Sequence, residues 1–353
     1  MLRTQAGPLA TLLLLAACGD DGGFFDDGDV AVSGPPDPGV ADAGSEGLEG
    51  PDGQGGGGAG TLTAGVWDDN LNFDRFKQFV DEHAQLPGRP ALTDEEQTAA
   101  ASAASTRTST RTGLDLVFLI DATGSMSDEI AYLQLELDGV SSRISERFPN
   151  VAIRWGLVSY RDRQDAYLTR ALDLSADRGP FTRRLFDTAA DGGGDYPEAS
   201  PEGLAAALEL GWRGSDEVAR VLFWLTDAPH HVQDAEGVTR QLRAARERGV
   251  RVHPIASSGV DILSELTMRS AAQLTGGRYL FLTDDSGVGL PHLEPSIPCY
   301  FVTRLDQAMV RVITAALTGR HAAVSPEDVI RAEGDPDAEG RCDLGEGSVA
   351  FAY

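Results

Sequence analysis

Residues 116–130 read LVFLIDATGSMSDEI, and this stretch decides the fold. Its first part, 116–120, is an unbroken apolar run, which is typical of a strand covered on both faces of a parallel sheet. After the polar turn, apolar side chains recur three and four positions apart and predict one face of a helix. They are Ile130, Leu133, Leu137, Val140 and Ile144. The stretch therefore predicts a buried strand, a tight polar turn and an amphipathic helix.

The same alternation continues along the chain. We expect further strands at 151–160, 167–174, 218–226, 250–256 and 278–283. Helices are expected at 204–210, 238–248, 262–274 and 305–317. Alternation of this kind predicts an α/β fold: a doubly wound, mostly parallel sheet that is flanked by helices, with right-handed crossovers.

Polar side chains follow two of the most apolar strands. Asp121, Thr123 and Ser125 alternate along the turn after the first strand, and Asp227 follows strand 218–226. In open α/β sheets, ligands bind at the carboxyl edge, where these side chains are expected to meet. Carboxylate and hydroxyl oxygens suit hard cations such as Mg²⁺. The sequence therefore predicts a divalent-cation site at this edge.

These motifs resemble those of a von Willebrand factor A domain over about residues 113–320. The resemblance rests on the DxTGS pattern at 121–125, the glycine-rich loop 191–198 and the strand ending LTD at 225–227. The sequences YRD at 160–162 and DAP at 227–229 are similar to those of hemicentin-like and bacterial members. The resemblance implies a metal-ion-dependent adhesion site. In such a site Thr123 and Ser125 bind the ion directly, and Asp121 and Asp227 act largely through water.

One departure from the family pattern concerns the loop 191–198. Many members contribute a loop threonine to the ion, whereas this loop offers Asp195 or, less readily, Glu198. A third carboxylate makes the site net negative, so an acidic partner is attracted less strongly. We expect Mg²⁺ as the ion, with Ca²⁺ and Mn²⁺ as alternatives. The expected partner is a protein ligand whose acidic side chain completes the coordination shell.

Three residues are candidates for the rim of the site. Adjacent residues on an extended segment point to opposite sides, so only one of His230 and His231 is expected to reach a ligand, and His230 is the candidate. Arg161 is placed to orient an acidic ligand, although an ion pair with its neighbour Asp162 is the alternative. Glu198 completes this set.

The N-terminus predicts export. Residues 1–17 combine an early arginine with a short apolar run, and the sequence LAAC at 15–18 resembles the lipobox of bacterial lipoproteins. Cys18 would then be the lipidated first residue and anchor the protein in the cell envelope, in the outer membrane rather than the inner one because Gly19 follows it. An ordinary signal peptide with a chance cysteine is the alternative.

The rest of the chain divides by composition. Residues 18–60 contain ten Asp or Glu and no Lys or Arg, which predicts a disordered Gly/Asp-rich tether. A short helix and a polar linker are expected over 61–112, with the linker at about 93–112, and a C-terminal extension over 321–353. With Cys18 set aside, Cys299 and Cys342 remain for a disulfide in an exported protein, or as two free thiols.

Charge narrows the function. With 55 acidic and 29 basic residues, a net charge of −26 argues against nucleic acid or an anionic membrane surface as the partner. We expect a non-catalytic, metal-dependent binding or adhesion protein. One alternative is a haloacid-dehalogenase-like phosphotransfer enzyme that uses Asp121 as nucleophile, but such enzymes need a downstream lysine and none follows Lys77. The other alternative is a structural envelope protein with a stabilising cation.

Overall fold

The computed structural model describes residues 62–104, 110–193, 196–287, 292 and 294–353. The predicted signal peptide, the lipidation site Cys18 and the predicted tether lie outside the described residues, as does Asp195. Among the residues that are described, no helix is both long enough and apolar enough to cross a bilayer.

Strands and helices alternate through most of the described chain. The strands are β1 (Thr63–Trp67), β2 (Gly113–Asp121), β3 (Ala152–Tyr160), β4 (Thr169–Ser175), β5 (Val218–Thr226), β6 (Val250–Ala256), β7 (Tyr279–Thr283), β8 (Tyr300–Arg304), β9 (Arg331–Glu333), β10 (Arg341–Asp343) and β11 (Val349–Phe351). The helices are α1 (Phe73–Glu82), α2 (Asp94–Ala104), α3 (Ser127–Arg147), α4 (Arg178–Phe186), α5 (Ser200–Leu208), α6 (Ala235–Glu247), α7 (Ile262–Thr275) and α8 (Leu305–Thr318).

One large sheet organises the described residues, with its strands in the order β4-β3-β2-β5-β6-β7-β1-β8-β9. The five strands from β3 to β7 in this order pair in parallel. The neighbours outside them pair antiparallel. The predicted α/β class, a doubly wound and mostly parallel sheet flanked by helices, is therefore confirmed.

Helices cover both faces of the sheet, which explains why the central strands are apolar without alternation. In β2, Phe118 and Ile120 lie in the core layer that also contains the apolar faces of α3 and α8. Val117 and Leu119 lie in the opposite layer, together with apolar residues of α5, α6 and α7. All nine residues of β2 are buried, so its carboxyl end is held in a fixed position from which the exit turn projects.

The predicted polar linker over 93–112 is wrong for its first half, because Asp94–Ala104 forms helix α2. The helix begins with a capping box: the main-chain N–H of Thr93 donates to Glu96 Oε2 (2.8 Å), and the N–H of Glu96 donates to Thr93 Oγ1 (3.2 Å). The alanines that follow favour a helix. The Thr-x-x-Glu signal of this capping box is present in the sequence, whereas polar composition alone predicts a linker.

The sheet also begins earlier than expected, since β1 inserts between β7 and β8 in antiparallel pairing. A side chain at Gly65 would collide with the ring of Phe281, because a Cβ there would lie 2.2 Å from the ring edge. Glycine therefore allows β1 to lie against the core. The segment before residue 113 thus contributes a strand to the sheet besides the predicted helix, which is α1.

The C-terminal extension is part of the same fold. Strand β9 pairs with β8, and β10 pairs with β11 as a separate ribbon. Cys299 and Cys342 form a disulfide across 43 residues of sequence, which confirms that prediction. The bridge ties the ribbon to the segment that leads into β8.

A buried histidine in β6 gives a testable pH dependence. Burial, and then the charges of Arg278 and Arg251, lower the pKa of His253 well below its ordinary value, while its Nδ1 accepts the N–H of Arg278 (2.8 Å). Below about pH 6.5 the unfolded chain binds a proton that the fold excludes, so stability falls as the pH falls.

We expect His253→Gln to reduce this loss of stability between pH 7.5 and 5.5 by about 1 kcal/mol. Urea unfolding of both proteins at the two pH values, with chelator present throughout, measures the difference. Equal losses in the two proteins would show that His253 does not exclude the proton.

Candidate functional site

The exit turn of β2 is the centre of the candidate site. Asp121 is fully buried, and its Oδ1 accepts the Thr123 hydroxyl (2.7 Å) and the Thr123 main-chain N–H (3.2 Å). Its Oδ2 accepts the Thr226 hydroxyl (2.8 Å). Because the Thr123 hydroxyl gives its proton to Asp121, its lone pairs are left for another partner. The Thr123 Oγ1 lies 3.4 Å from the Oγ of the exposed Ser125.

The buried position of Asp121 disfavours the ionised form of its carboxyl group. Burial raises the pKa of Asp121, and hydrogen bonds from Thr123 and Thr226 oppose this effect. A buried carboxylate of this kind is stabilised when positive charge lies close to it. The turn therefore combines a buried negative charge with two hydroxyl oxygens, which are suitable ligands for a hard cation.

The second predicted carboxylate lies at the same edge. Strand β5 pairs with β2 in parallel and in register, with Ile120 opposite Leu225. Thr226 therefore lies beside Asp121, and Asp227 follows one residue later, with 3% of its surface exposed. The structure thus brings together the exit turn and Asp227, as the sequence pattern required.

Glu198 also belongs to this group of residues. Its main-chain N–H donates to the carbonyl oxygen of Pro229 (2.8 Å), which fixes the backbone next to the segment that follows Asp227. Its side chain also reaches the exit turn, because Gly193 lies close to both. A Cβ added to Gly193 would be 3.0 Å from Thr123 Cβ and 3.3 Å from Glu198 Oε1. Only 2% of Glu198 is exposed, and its Oε2 has no hydrogen-bond partner among the described residues.

The electrostatics of Glu198 reflect a local excess of negative charge. Burial raises the pKa of Glu198 to about 9, and the carboxylates of Asp121, Asp162, Asp165 and Asp227 add to the rise. A bound cation would offset this repulsion. Asp195, the preferred loop candidate, lies outside the described residues, so among the described residues Glu198 is the loop carboxylate that reaches the site.

The set of oxygen ligands fits a hard cation in composition. Within the described residues, no group of three or more His, Cys, Asp or Glu side chains is placed so that it could hold a metal ion without other ligands. The predicted site does not require such a group, because two of its direct ligands would be the hydroxyls of Thr123 and Ser125. Mg²⁺ and similar ions also retain several waters when few protein ligands are present.

Arg161 does not lie on the rim, and it is not paired with Asp162. It is buried, and it joins two loops: its Nε donates to the carbonyl oxygen of Ala122 (2.9 Å) and its Nη2 to that of Ala189 (2.9 Å). Its position is fixed by these contacts, because a planar guanidinium binds two carbonyls in a set direction. Its Nη1 also lies 3.4 Å from Oδ2 of Asp191, so Arg161 braces the exit turn against the start of the glycine-rich loop.

His230 is also turned away from the predicted rim. It is buried, and its Nε2 makes a hydrogen bond with the carbonyl oxygen of Gly88 (2.8 Å). Burial lowers the pKa of His230. Its neighbour His231 contacts Asp162 Oδ1 (2.8 Å). The two histidines thus point to different partners, as expected for adjacent residues, but both hold loops in place.

Sequence reasoning did not identify Asp165. Both of its carboxylate oxygens accept the main-chain N–H of Gly193 (3.2 and 3.1 Å), and Oδ2 also accepts the N–H of Asp162 (3.1 Å). Asp165 therefore orients the glycine-rich loop beneath the site. No motif surrounds it in the sequence, and its role depends on a contact between residues 28 positions apart.

The brace formed by Arg161 gives a prediction for the site. We expect Arg161→Met to weaken Mn²⁺ binding by about tenfold, because the exit turn and the glycine-rich loop lose a shared partner. Arg163→Met is the matched control, since Arg163 is more exposed and pairs with Glu202 and Asp234 instead. Calorimetric titration of the folded variants measures the effect. Unchanged affinity in Arg161→Met would show that the brace does not position the ligands.

Comparison with known proteins finds a similarity to one protein family. Residues 115–287 match the model of a family described as the von Willebrand factor A domain. The chain is 36% identical over 104 residues to hemicentin-2 of Mus musculus, which covers 28% of this chain and 2% of that protein. It is 24% identical over 153 residues to the alpha-protein kinase vwkA of Dictyostelium discoideum, which covers 43% of this chain and 24% of the kinase. The chain spans less than a quarter of the length of these relatives.

Two solved structures are similar at low scores. The conserved hypothetical protein BatB from Bacteroides thetaiotaomicron aligns with a TM-score of 0.38 and 14% identity, over 58% of this chain and 98% of that one. The proximal thread matrix protein 1 from the mussel byssus aligns with a TM-score of 0.35 and 19% identity, over 46% of this chain and 41% of that one. Likenesses at these scores carry no argument about function.

Proposed function

We propose that residues 115–287, which match the family model of the von Willebrand factor A domain, bind a divalent cation at the carboxyl edge of their sheet and, through that cation, a protein partner. The observation that carries the proposal is the convergence of the exit turn of β2 with Asp227 and Glu198. The hydroxyls of Thr123 and Ser125 lie 3.4 Å apart there, and the carboxylates of Asp121 and Asp227 are close enough to raise the pKa of Glu198.

Each residue has a distinct part in this proposal. The cation, when bound, would supply positive charge and open coordination positions for an oxygen of the partner. Thr123 and Ser125 would hold it through their hydroxyl oxygens. Asp121 would fix the Thr123 hydroxyl by accepting its proton, as it does in the structure. Asp227 and Glu198, or Asp195 in place of Glu198, would supply the neutralising charge.

The expected ion is Mg²⁺, with Ca²⁺ or Mn²⁺ as alternatives, since the ligands are oxygens that suit all three. The partner would complete the shell with an acidic side chain, and the excess of carboxylates would keep this interaction weak. We also propose that the chain is a bacterial, hemicentin-like variant. Its sequence at 15–18 supports an exported lipoprotein that Cys18 anchors in the envelope, in the outer membrane rather than the inner one.

The phosphotransfer alternative has less support. An aspartyl nucleophile must present a free oxygen to the phosphorus atom, whereas Asp121 is fully buried and both of its oxygens accept hydrogen bonds. The sequence also has no lysine after Lys77. We therefore propose binding rather than catalysis as the function of this edge.

A pull-down from envelope extract tests the proposal. The wild-type protein with Mn²⁺ is expected to retain partner proteins that are lost with chelator and with Ser125→Ala. Ser125 is exposed, so its replacement should leave the fold intact, and equal melting temperatures would verify this. The neighbouring exposed Ser127→Ala is the control and should behave as wild type.

Retention of the same proteins under all conditions would overturn the adhesion role. A cation that raises the melting temperature without changing partner retention would instead favour the structural alternative, in which the ion only stabilises the domain.

A further inference from the structure

Three exposed apolar side chains lie on the loops that border Asp227. Tyr196, Val232 and Ile262 are 47%, 52% and 38% exposed, and we call these three residues the apolar rim. Single exposed apolar residues are common on protein surfaces, but a group of them beside a polar site is typical of an interaction surface. The carboxyl edge of the sheet therefore has a feature that cation binding alone does not use.

Two members of the apolar rim are connected to Asp227 through the loop 257–261. A Cβ added to Gly259 in this loop would lie 3.5 Å from the carbonyl oxygen of Asp227. The hydroxyl of Tyr196 donates to the carbonyl oxygen of Gly259. Ile262 follows the loop directly, as the first residue of α7. Both side chains therefore lie close to the backbone that carries a proposed site residue.

Val232 is connected to the same surface through Gly88. A Cβ added to Gly88 would lie 3.1 Å from Val232 Cα and 3.2 Å from Leu263 Cδ2, and Leu263 is the neighbour of Ile262. The carbonyl oxygen of Gly88 also makes a hydrogen bond with His230 Nε2 (2.8 Å), which fixes it beside the segment that leads to Val232. The three members of the rim thus belong to one region of the surface.

Hydrogen bonds fix the loop that leads to Ile262. The main-chain N–H of Ser258 donates to Glu129 Oε1 (3.1 Å) at the start of α3. Asp261 Oδ1 accepts the main-chain N–H (2.8 Å) and the hydroxyl (2.9 Å) of Ser264, and so caps α7. An apolar surface that is already ordered loses little conformational entropy when a partner covers it. The rim is therefore suited to packing against an apolar side chain.

The charges that raise the pKa of Tyr196 are negative. Burial raises this pKa to about 12, and the carboxylates of Asp261 and Asp227 add to the rise. Negative charge of this kind repels a partner segment that carries several acidic residues. A single carboxylate with uncharged neighbours avoids most of the repulsion and still provides an oxygen ligand for a cation. Charge therefore favours one acidic residue among apolar ones over an acidic run.

We propose that the apolar rim selects a partner segment in which one acidic residue has apolar neighbours. The carboxylate of this segment binds at the cation site, and a neighbouring side chain packs on Tyr196, Val232 and Ile262. Successive side chains of an extended segment are about 3.4 Å apart along the chain, and alternate ones about 7 Å, which suits loops that contact Asp227. This inference rests on the proposed cation site and adds the chemistry of the partner segment.

Two synthetic peptides test the proposal with the full chain. Both are blocked at their ends: Gly-Leu-Asp-Leu-Gly has apolar neighbours beside the aspartate, and Gly-Ser-Asp-Ser-Gly lacks them. The protein is loaded with Mn²⁺ and kept in excess over the ion. Because Mn²⁺ broadens the proton NMR lines of a peptide that approaches it, the line widths in a titration give the dissociation constants. Calorimetric titration with Mn²⁺ alone measures the cation site separately.

The test variant combines Tyr196→Ser and Val232→Ser, and Val232→Ser alone is a milder form. Both side chains are exposed, so the fold should be kept, and equal melting temperatures would verify this. Leu71→Ser is the control, because Leu71 is 46% exposed and lines a cavity together with Gly249. Gly249 directly precedes β6, so the control residue lies at the opposite edge of the sheet.

Wild type and Leu71→Ser are expected to bind the leucine peptide about fivefold to tenfold more tightly than the serine peptide, because the rim buries apolar surface. The ratio should fall below about twofold in the test variant and be intermediate in Val232→Ser. The affinity for Mn²⁺ should be equal in all four proteins.

The outcomes separate this inference from the cation site itself. A wild-type protein that binds Mn²⁺ without preferring the leucine peptide would overturn the inference and leave the cation site in place. A test variant that keeps the preference would do the same, as would tighter binding of Gly-Asp-Asp-Asp-Gly than of the leucine peptide. A wild-type protein that binds no Mn²⁺ would overturn both.

Discussion

An Arg269→Met variant is expected to lose about 3–5 kcal/mol of unfolding free energy, because it leaves a buried carboxylate without its cation. Arg269 in α7 is 3% exposed, and its Nη2 lies 2.7 Å from Oδ1 of Asp69, which is also buried. Asp69 further accepts the indole N–H of Trp67 (3.0 Å), and the guanidinium lies 4.0 Å from the ring centre of Phe79.

This cluster joins β1 and α1 to the rest of the domain. Burial alone would lower the pKa of Arg269, but the carboxylates of Asp69 and Glu265 raise it above its ordinary value, so the arginine stays charged. Removal of the arginine should therefore affect the whole fold, because β1 lies between two other strands.

Arg243→Met is the matched control for this prediction. Arg243 pairs with Glu96 at 2.6 Å, but both side chains are partly exposed, so the expected loss is at most about 1 kcal/mol. Adding Asp69→Asn to Arg269→Met should recover part of the lost stability, since the unpaired charge disappears. Urea denaturation measures all four proteins. Equal losses in Arg269→Met and Arg243→Met would contradict the role given to the buried pair.

Glu198→Gln is expected to have opposite effects on stability and on cation binding. The pKa of Glu198 is raised to about 9, so without metal the folded domain holds a proton at pH 7 that the unfolded chain releases. Metal-free stability therefore falls as the pH rises from about 4.5 to 9, and glutamine removes this cost. The gain at pH 7 is at most about 3 kcal/mol.

The same substitution should weaken Mn²⁺ binding, since the site loses one negative charge. Denaturation in chelator and calorimetric titration with Mn²⁺ measure the two effects separately. Glu209→Gln is the control, because Glu209 is exposed at the end of α5 and its replacement should change stability by less than about 0.5 kcal/mol. Lower metal-free stability in Glu198→Gln, or unchanged affinity for Mn²⁺, would contradict the place given to Glu198.

The central strands were predictable because strands that are buried on both faces consist mostly of apolar residues, and the sequence shows this directly. Strands β5 and β6 have the predicted bounds, because apolar residues predominate in both, the polar Asp227 follows β5 and Gly249 precedes β6. The site at their carboxyl ends was predictable for the same reason: parallel strands bring their ends to one edge. Asp121 and Asp227 are therefore neighbours although 105 residues separate Asp121 from Thr226.

Other elements depend on contacts that the sequence does not reveal. Strand β1 has five residues, and its place is decided by Phe281 and other partners more than 200 residues away. The role of Glu198 depends on the path of the loop before it. The sequence pattern does not decide whether this path brings Glu198 or Asp195 to the site. Arg161 follows a strand and was expected on the rim, but the carbonyl oxygens of Ala122 and Ala189 hold it inside.

The central claim is that oxygens from the exit turn of β2 and from the neighbouring strand end hold one divalent cation. Calorimetric titration of the purified protein with Mn²⁺, Mg²⁺ and Ca²⁺ tests it most directly, with Ser125→Ala as the site variant and Ser127→Ala as its control. We expect one ion per chain for wild type and for Ser127→Ala, and at least about tenfold weaker binding for Ser125→Ala. A wild-type protein that binds none of the three ions, or a Ser125→Ala variant that binds them as tightly as wild type, would contradict the claim.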